Sequence, residues 1–181
     1  MSDPSNQSQQ LKSSFSFCPK CCSPGPTILN DRQLLCPACG FQYFFNCAAA
    51  TGAFLFFKDQ LILAVREREP KAGYLDVPGG FLDFNESAEE GLQREIQEEL
   101  HLHVASLRYF MSAPNDYEYG GVPYKTMDLF FIGYLENVEG IKAADDVRDF
   151  VFISPESLDP QRFAFDSTRK AFLCLLAMRK A

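Results

Sequence analysis

The segment that most constrains this chain runs from Gly80 to Leu102, GFLDFNESAEEGLQREIQEELHL. Residues 86–100 read as a helix. At roughly 100° per residue, Ala88, Leu92, Ile96 and Leu100 form one apolar arc. Glu99 falls inside that arc, Glu95 roughly 20° beyond its edge, and Glu98 roughly 60° further. A solvated acidic helix would turn its glutamates away from the core. These three border the buried stripe, where carboxylates repel one another and lose hydration. A divalent cation resolves that conflict. Carboxylate oxygens are hard donors suited to Mg2+ or Mn2+, and Mg2+ typically joins one or two carboxylates to waters and a phosphorylated ligand. The helix therefore reads as half of a metal site.

The spacing carries more information than the composition. Gly80, then Glu86 after five residues, then Arg94-Glu95-Ile96-x-Glu98-Glu99 after seven more, and Leu102, resembles the Nudix box, G-x5-E-x7-R-E-U-x-E-E-x-G-U with U aliphatic. One fixed position departs: His101 stands where the box has glycine. That position lies just past the helix, where left-handed backbone is common, and histidine adopts it at a cost of roughly 1 kcal/mol. The expectation is an altered helix end with the metal ligands retained.

The resemblance implies an α/β fold, the Nudix α/β/α sandwich with a mixed sheet. It implies a pyrophosphohydrolase that cleaves a nucleoside diphosphate linked to another moiety, water attacking phosphorus while divalent ions neutralise oxygen charge. Carried over by position, Glu95, Glu98 and Glu99 hold the metals and the Gly79 carbonyl is a backbone ligand. Arg94 positions a box glutamate by ion pairing, and Glu86 supports that network. The identity of the general base stays open. Asp145 or Asp146, in the acidic stretch before a late strand, is a candidate base or extra ligand.

Seven cysteines are present, five of them within residues 18–39. Cys18-Pro-Lys-Cys21 and Cys36-Pro-Ala-Cys39 are separated by 14 residues. Each Cys-x-x-Cys knuckle supplies two soft thiolates, and two knuckles close a tetrahedral Zn2+ shell. Such a shell has no open position, so this zinc organises the fold rather than doing chemistry. Cys22 is an alternative to Cys21 as ligand, and a redox-active thiol pair is the alternative to zinc. Gly40 tolerates the positive φ that a knuckle often needs. Two knuckles and Cys39-Gly40-x-x-Tyr43 leading into a Nudix domain are similar to the NADH pyrophosphatase group. That group's Ser-Gln-Pro-Trp-Pro-Phe-Pro array has Ser112-Ala-Pro114-Asn115-Asp-Tyr117 as its nearest counterpart here, and the chain has no tryptophan. The substrate class is therefore kept broad: dinucleotide, NADH-like or ADP-ribose-like.

The chain divides into a polar tail expected to be disordered (1–14), a zinc ribbon (15–46) and a Nudix hydrolase domain (47–181). Residues 47–57, 61–66, 104–112, 124–135 and 148–153 read as strands, and 67–85 and the tyrosine-rich stretch after 112 as loops. Asp166 or Ser167 is the expected cap of a final helix reaching about Lys180.

Lys+Arg 17 against Asp+Glu 24 leaves a formal charge of -7, which argues against a nucleic-acid partner. No apolar run reaches the roughly 18–20 residues that span a bilayer. The opening residues hold no apolar stretch of secretory length, so the expected location is the cytoplasm. Tyr117, Tyr119 and Tyr124, with Asn115, are candidates to stack on and hydrogen-bond a nucleobase, or else fill a strand edge. Arg66 is a candidate phosphate contact, against a surface charge cluster with Glu67, Arg68 and Glu69. The expected partner is a nucleotide-derived small molecule, with a homodimer suggested by the family. Two other functions stay open: a nucleotide-sensing regulator with a non-hydrolytic domain, and a nucleoside triphosphate-cleaning pyrophosphatase.

Overall fold

The computed structural model describes residues 14–30, 32–120, 122–144 and 147–180. The expected tail, save Ser14, lies outside them, as do Asp145 and Asp146. The chain falls into two compact units, Met1–Cys47 with Asp116–Lys125, and Ala48–Asn115 with Thr126–Ala181.

The first unit holds a three-stranded antiparallel sheet of β1 (Thr27–Leu29), β2 (Gln33–Leu35) and β3 (Gln42–Phe44). Its core is small. Ile28 and Leu34 are buried, with Phe15, Phe41 and Phe45 packed around them. So little apolar surface does not hold a module of this size without a further tie.

The second unit is built on β4 (Ala48–Phe57), β5 (Gln60–Arg66), β6 (Leu75–Asp76), β9 (Val147–Ile153) and the parts of β7 (Leu107–Tyr119) and β8 (Val122–Leu135) outside Asp116–Lys125. The order is β6-β5-β4-β8-β7, with β9 on β5. β4 and β8 run parallel from Ala48↔Thr126 to Phe57↔Leu135, and β5 pairs antiparallel with β4, β6 and β9, so the sheet is mixed. Two helices cover its two faces, α1 (Ala88–Leu100) and α2 (Asp166–Arg179). Alternation along β4 sends Phe54 and Phe56 into the cluster with Phe163, Phe172 and Leu175 on the α2 side. It sends Ala53 and Leu55 to Leu92, Ile96 and Leu100 on the α1 side. This is the α/β/α sandwich. Among the described residues no helix is long and apolar enough to cross a membrane.

β4 and β5 pair only from Leu55↔Ile62 to Phe57↔Gln60. Beyond that they part, and the segment after β5 fills the gap. β6 pairs with Ala64 and Val65 of β5. A few residues on, the amides of Thr51 and Ala53 in β4 donate to Gly80 O at 2.8 Å and Pro78 O at 2.9 Å, and Leu82 N donates to Ala49 O at 3.1 Å.

Three expectations are corrected. β6 lies inside the expected loop, because pairing with β5 orders it. The tyrosine-rich stretch is not a loop: it forms the end of β7, up to Tyr119, and the start of β8, from Val122. β7 is last in the sheet order, and an edge strand tolerates Pro114. The final helix is capped by neither Asp166 nor Ser167. Phe165 is its N-cap, with extended backbone and no side-chain cap bond. Ser167 Oγ donates instead to Asp128 at 2.5 Å, and Asp166 pairs with Arg169 at 2.6 Å.

Candidate active site

The boundaries of α1 set the site. Ser87 Oγ accepts from Glu90 N at 3.2 Å, and Ser87 N donates to Glu90 Oε2 at 2.8 Å, a reciprocal cap that starts the helix at Ala88, two residues after Glu86. Glu86 is thereby free of the helix and turns back over the loop, accepting from Asp83 N at 2.6 Å. At the other end His101 takes φ 57° and ψ 31°, and its amide donates to Gln97 O at 3.1 Å. Histidine thus fills the left-handed position of the box glycine. Lys142 N and Ala144 N satisfy the carbonyls of Leu100 and Glu99 at 3.2 and 3.0 Å, pinning the segment before Asp145 to the end of α1.

Arg94 is the hub. Its Nη2 donates to Glu86 Oε1 at 2.7 Å and its Nε to Glu86 Oε2 at 3.2 Å. Its Nη1 donates to Glu95 Oε1 at 2.8 Å and Glu98 Oε2 at 3.1 Å, and Nη2 also reaches Phe81 O at 3.1 Å. Hydrogen bonds from Arg94, then from the Asp83 amide, hold the Glu86 carboxyl below the usual carboxylate range. The same carboxylates, Glu86 foremost, keep the guanidinium protonated at any working pH.

The remaining acids close on the loop that plugs the sheet. Glu99 is buried, and its Oε2 accepts from Gly79 N at 3.0 Å. Glu95 lies against Gly80 so closely that a Cβ there would stand 2.5 Å from Oε1. Gly79 has φ +143°, and a Cβ on it would fall 2.1 Å from Thr51 O. Glu95, Glu98 and Glu99 thus lie along one edge of α1, beside a loop whose Gly79 position admits no side chain. Beneath that loop the Thr51 hydroxyl is buried without a hydrogen-bond partner among the described residues. Hard carboxylate donors, two of them gathered on one guanidinium and a third on the Gly79 amide, suit a divalent cation.

Arg66 Nη1 is 3.5 Å from Asp76 Oδ2, its Nε donates to Pro70 O at 3.0 Å, and its guanidinium lies over the Phe165 ring at 4.9 Å. Tyr117 and Tyr124 fall in the first unit with the cysteines, Tyr124 exposed and Tyr117 half-buried, whereas Asn115 ends a segment of the second. The side chain of Tyr119 lies outside the described residues, as do the candidates Asp145 and Asp146.

Sequence reasoning missed the polar layer under α2. Asp76 accepts from Val77 N at 3.0 Å and Thr168 Oγ1 at 3.1 Å, and Asp128 accepts from Thr126 Oγ1 at 2.6 Å as well as from Ser167. Burial pushes the Asp76 carboxyl up to about 6, against the opposing pull of Arg66. An acid between Leu75 and Val77 was the available clue.

In the first unit, the Sγ atoms of Cys18, Cys21, Cys36 and Cys39 all lie within 4.8 Å of one another, the one such donor grouping among the described residues. Cys21 and Cys36 are 3.6 Å apart, and Cys18 and Cys39 3.9 Å. A tetrahedral zinc with bonds of about 2.3 Å would set that edge at about 3.8 Å. The two knuckles match: Cys22 N donates to Cys18 O and Gly40 N to Cys36 O, both at 2.9 Å. Cys22 (φ 58°) and Gly40 (φ 71°) are equivalent left-handed residues, so Cys22 serves the turn and Cys21 the cluster. Hydrogen bonds from the Ser23 side chain, then its amide, draw the Cys21 thiol down to about 6. The Phe41 amide works the same way on Cys39, but the neighbouring Cys21 and burial outweigh it and push that thiol up to about 12. Four thiols this close cannot ionise together unless a cation joins them.

The family model of the NUDIX domain matches residues 48–176. The NAD-capped RNA hydrolase NudC of Vibrio parahaemolyticus is 31% identical over 106 residues, 58% of this chain, which spans only 40% of that relative's length. The ADP-ribose pyrophosphatase of Methanocaldococcus jannaschii is 30% identical over 129 residues, covering 70% of this chain and 72% of the relative. A NUDIX hydrolase from Nitrosomonas europaea superposes with a TM-score of 0.66 over 87% of this chain and 88% of its own, at 17% identity, a likeness of fold. The model match takes in β4, the glycine loop, the Arg94-centred acids of α1 and most of α2, and on that span the chain belongs to the NUDIX domain family.

Proposed function

We propose that this chain is a metal-dependent pyrophosphohydrolase that cleaves a nucleoside diphosphate linked to another moiety, of dinucleotide, NADH-like or ADP-ribose-like type. One observation carries the reading: a single guanidinium, that of Arg94, holds Glu86, Glu95 and Glu98 while Glu99 is tied to the Gly79 amide. Side chains fixed in this way do not have to be ordered when an ion and a pyrophosphate arrive. The names of the relatives place ADP-ribose and NAD-capped RNA among the compounds that similar proteins act on.

Glu95, Glu98, Glu99 and the Gly79 carbonyl would hold Mg2+ or Mn2+. When bound, the ion supplies charge neutralisation on the phosphoryl oxygens and a more acidic water. Arg94 keeps two of the acids aimed, Glu86 keeps Arg94 in place, and the glycine loop gives phosphate oxygens close access to backbone. The four-thiolate cluster is assigned to structural Zn2+, which ties together a unit whose own core is small.

The test is a hydrolysis panel of ADP-ribose, NADH, diadenosine polyphosphates, nucleotide sugars and nucleoside triphosphates, with and without Mg2+ or Mn2+. Mononucleotide products from the diphosphate-linked compounds, formed only with metal, are expected. Tight binding with no product under any condition would replace this reading with the sensor. Preference for triphosphates would replace it with the nucleotide-cleaning enzyme.

A further inference from the structure

Thr51 is 5% exposed, and its Oγ1 has no hydrogen-bond partner among the described residues. A buried hydroxyl in that state needs an explanation, and an ion or a trapped water is the usual one. The strand does not require it. Valine has nearly the same shape and a strand preference at least as high.

Its place in the fold supplies the reason. Thr51 alternates with Gly52, whose open side meets Val77 and Phe130 on the α2 face. The Thr51 side chain therefore points to the α1 face, with Ala53 and Leu55. Its cross-strand partner Leu129 packs on that same side. Its backbone carries the loop: Thr51 N donates to Gly80 O at 2.8 Å, and the Thr51 carbonyl abuts Gly79. Buried Glu99 reaches the Gly79 amide from α1 at 3.0 Å. The Thr51 backbone and the Glu99 carboxylate thus hold the same short stretch of loop, one from the strand and one from the helix, and the hydroxyl lies on the sheet face that α1 covers.

We propose that Thr51 is a positioning residue for the metal site. With a divalent cation among Glu95, Glu98 and Glu99, its hydroxyl donates to the Glu99 carboxylate, directly or through one buried water, and fixes that carboxylate toward the ion. This rests on the function proposed above.

The experiment compares the full chain, its zinc retained, with Thr51→Val and Thr51→Ser. Mn2+ binding is measured by titration calorimetry or electron paramagnetic resonance without nucleotide, and Tm is measured without Mn2+ or Mg2+. Thr51→Val is expected to keep or raise Tm while weakening Mn2+ binding about tenfold, and Thr51→Ser to restore it. Equal Mn2+ affinity in wild type and Thr51→Val overturns the inference and leaves the hydrolase reading standing. A loss of affinity accompanied by a fall in Tm in both variants also overturns it, since packing alone would then be at work. Failure of the wild type to bind Mn2+, or binding unchanged in Glu98→Gln, brings down the hydrolase reading and this inference with it.

Discussion

Arg94 grips Glu86 through two parallel hydrogen bonds, Nη2 to Oε1 at 2.7 Å and Nε to Oε2 at 3.2 Å. Only a guanidinium makes that fork and still has a nitrogen for Glu95 and Glu98. Arg94→Lys is therefore expected to lower kcat by about a hundredfold with a modest fall in Tm, because the acids lose their aim before the helix loses its packing. Steady-state kinetics beside a melting curve check this, and near-normal turnover in the lysine variant would contradict it.

Glu98 and Glu99 test the acids themselves. Glu98 is exposed and Glu99 buried, yet glutamine fits both: its carbonyl can still accept from Arg94 at the first and from the Gly79 amide at the second. Glu98→Gln and Glu99→Gln should each lose about a hundredfold or more in rate at unchanged circular dichroism.

The two loop glycines should fail differently. A Cβ on Gly79 would meet Thr51 O at 2.1 Å and Gly52 Cα at 2.8 Å, at φ +143°, so Gly79→Ala strikes the backbone of β4 and should not fold stably. A Cβ on Gly80 would meet only the movable end of Glu95. Gly80→Ala should therefore melt within a few degrees of wild type while losing activity about tenfold or more. Paired melting and activity assays separate the two.

Asp76 gives a pH dependence of definite sign. Its carboxyl is raised from 3.8 to about 6 by burial, with Arg66 and the Val77 and Thr168 hydrogen bonds opposing and Asp128 adding. Below about pH 4 both folded and unfolded chains hold the proton. As pH rises through 4 to 6 the unfolded chain releases it first, so the folded state loses ground. The unfolding free energy of wild type relative to Asp76→Asn should fall by on the order of 3 kcal/mol from pH 4 to pH 7. Groups common to both proteins cancel in that difference, and a flat difference across denaturant titrations at four pH values would refute the assignment.

The cysteine cluster predicts one zinc per chain by metal analysis. Cys21→Ser should lose it and Cys22→Ser should keep it, because only Cys21 places its sulfur in the cluster. Loss of zinc should strip hydrogen-exchange protection from β1, β2 and β3, whose buried core is little more than Ile28 and Leu34.

How much of this could be read from the chain depends on how local the cause is. The Arg94 network and the knuckles are set by spacing within a few turns of chain, so the residue pattern exposes them. The position of His101 was legible from the box spacing, but the altered helix end expected there is not found: histidine takes the left-handed conformation itself. Nonlocal causes were not legible. The carbonyls of Pro78 and Gly80 are held by the backbone amides of Ala53 and Thr51, which leave no side-chain signature. Pro114 and Gly120 look like loop punctuation until a neighbouring strand is present to pair with. Ser167 has the chemistry of a helix cap, but Asp128, 39 residues earlier, takes its hydroxyl.

The wedge of residues 75–82 between β4 and β5 has a wider consequence. The reactive edge is a structural member of the sheet, so releasing it means tearing open the second unit. No folded yet incompetent population can accumulate through loosening of that segment. Deuterium uptake at the Thr51 and Ala53 amides will then keep pace with global unfolding, and a molecule that survives heat survives with its chemistry assembled.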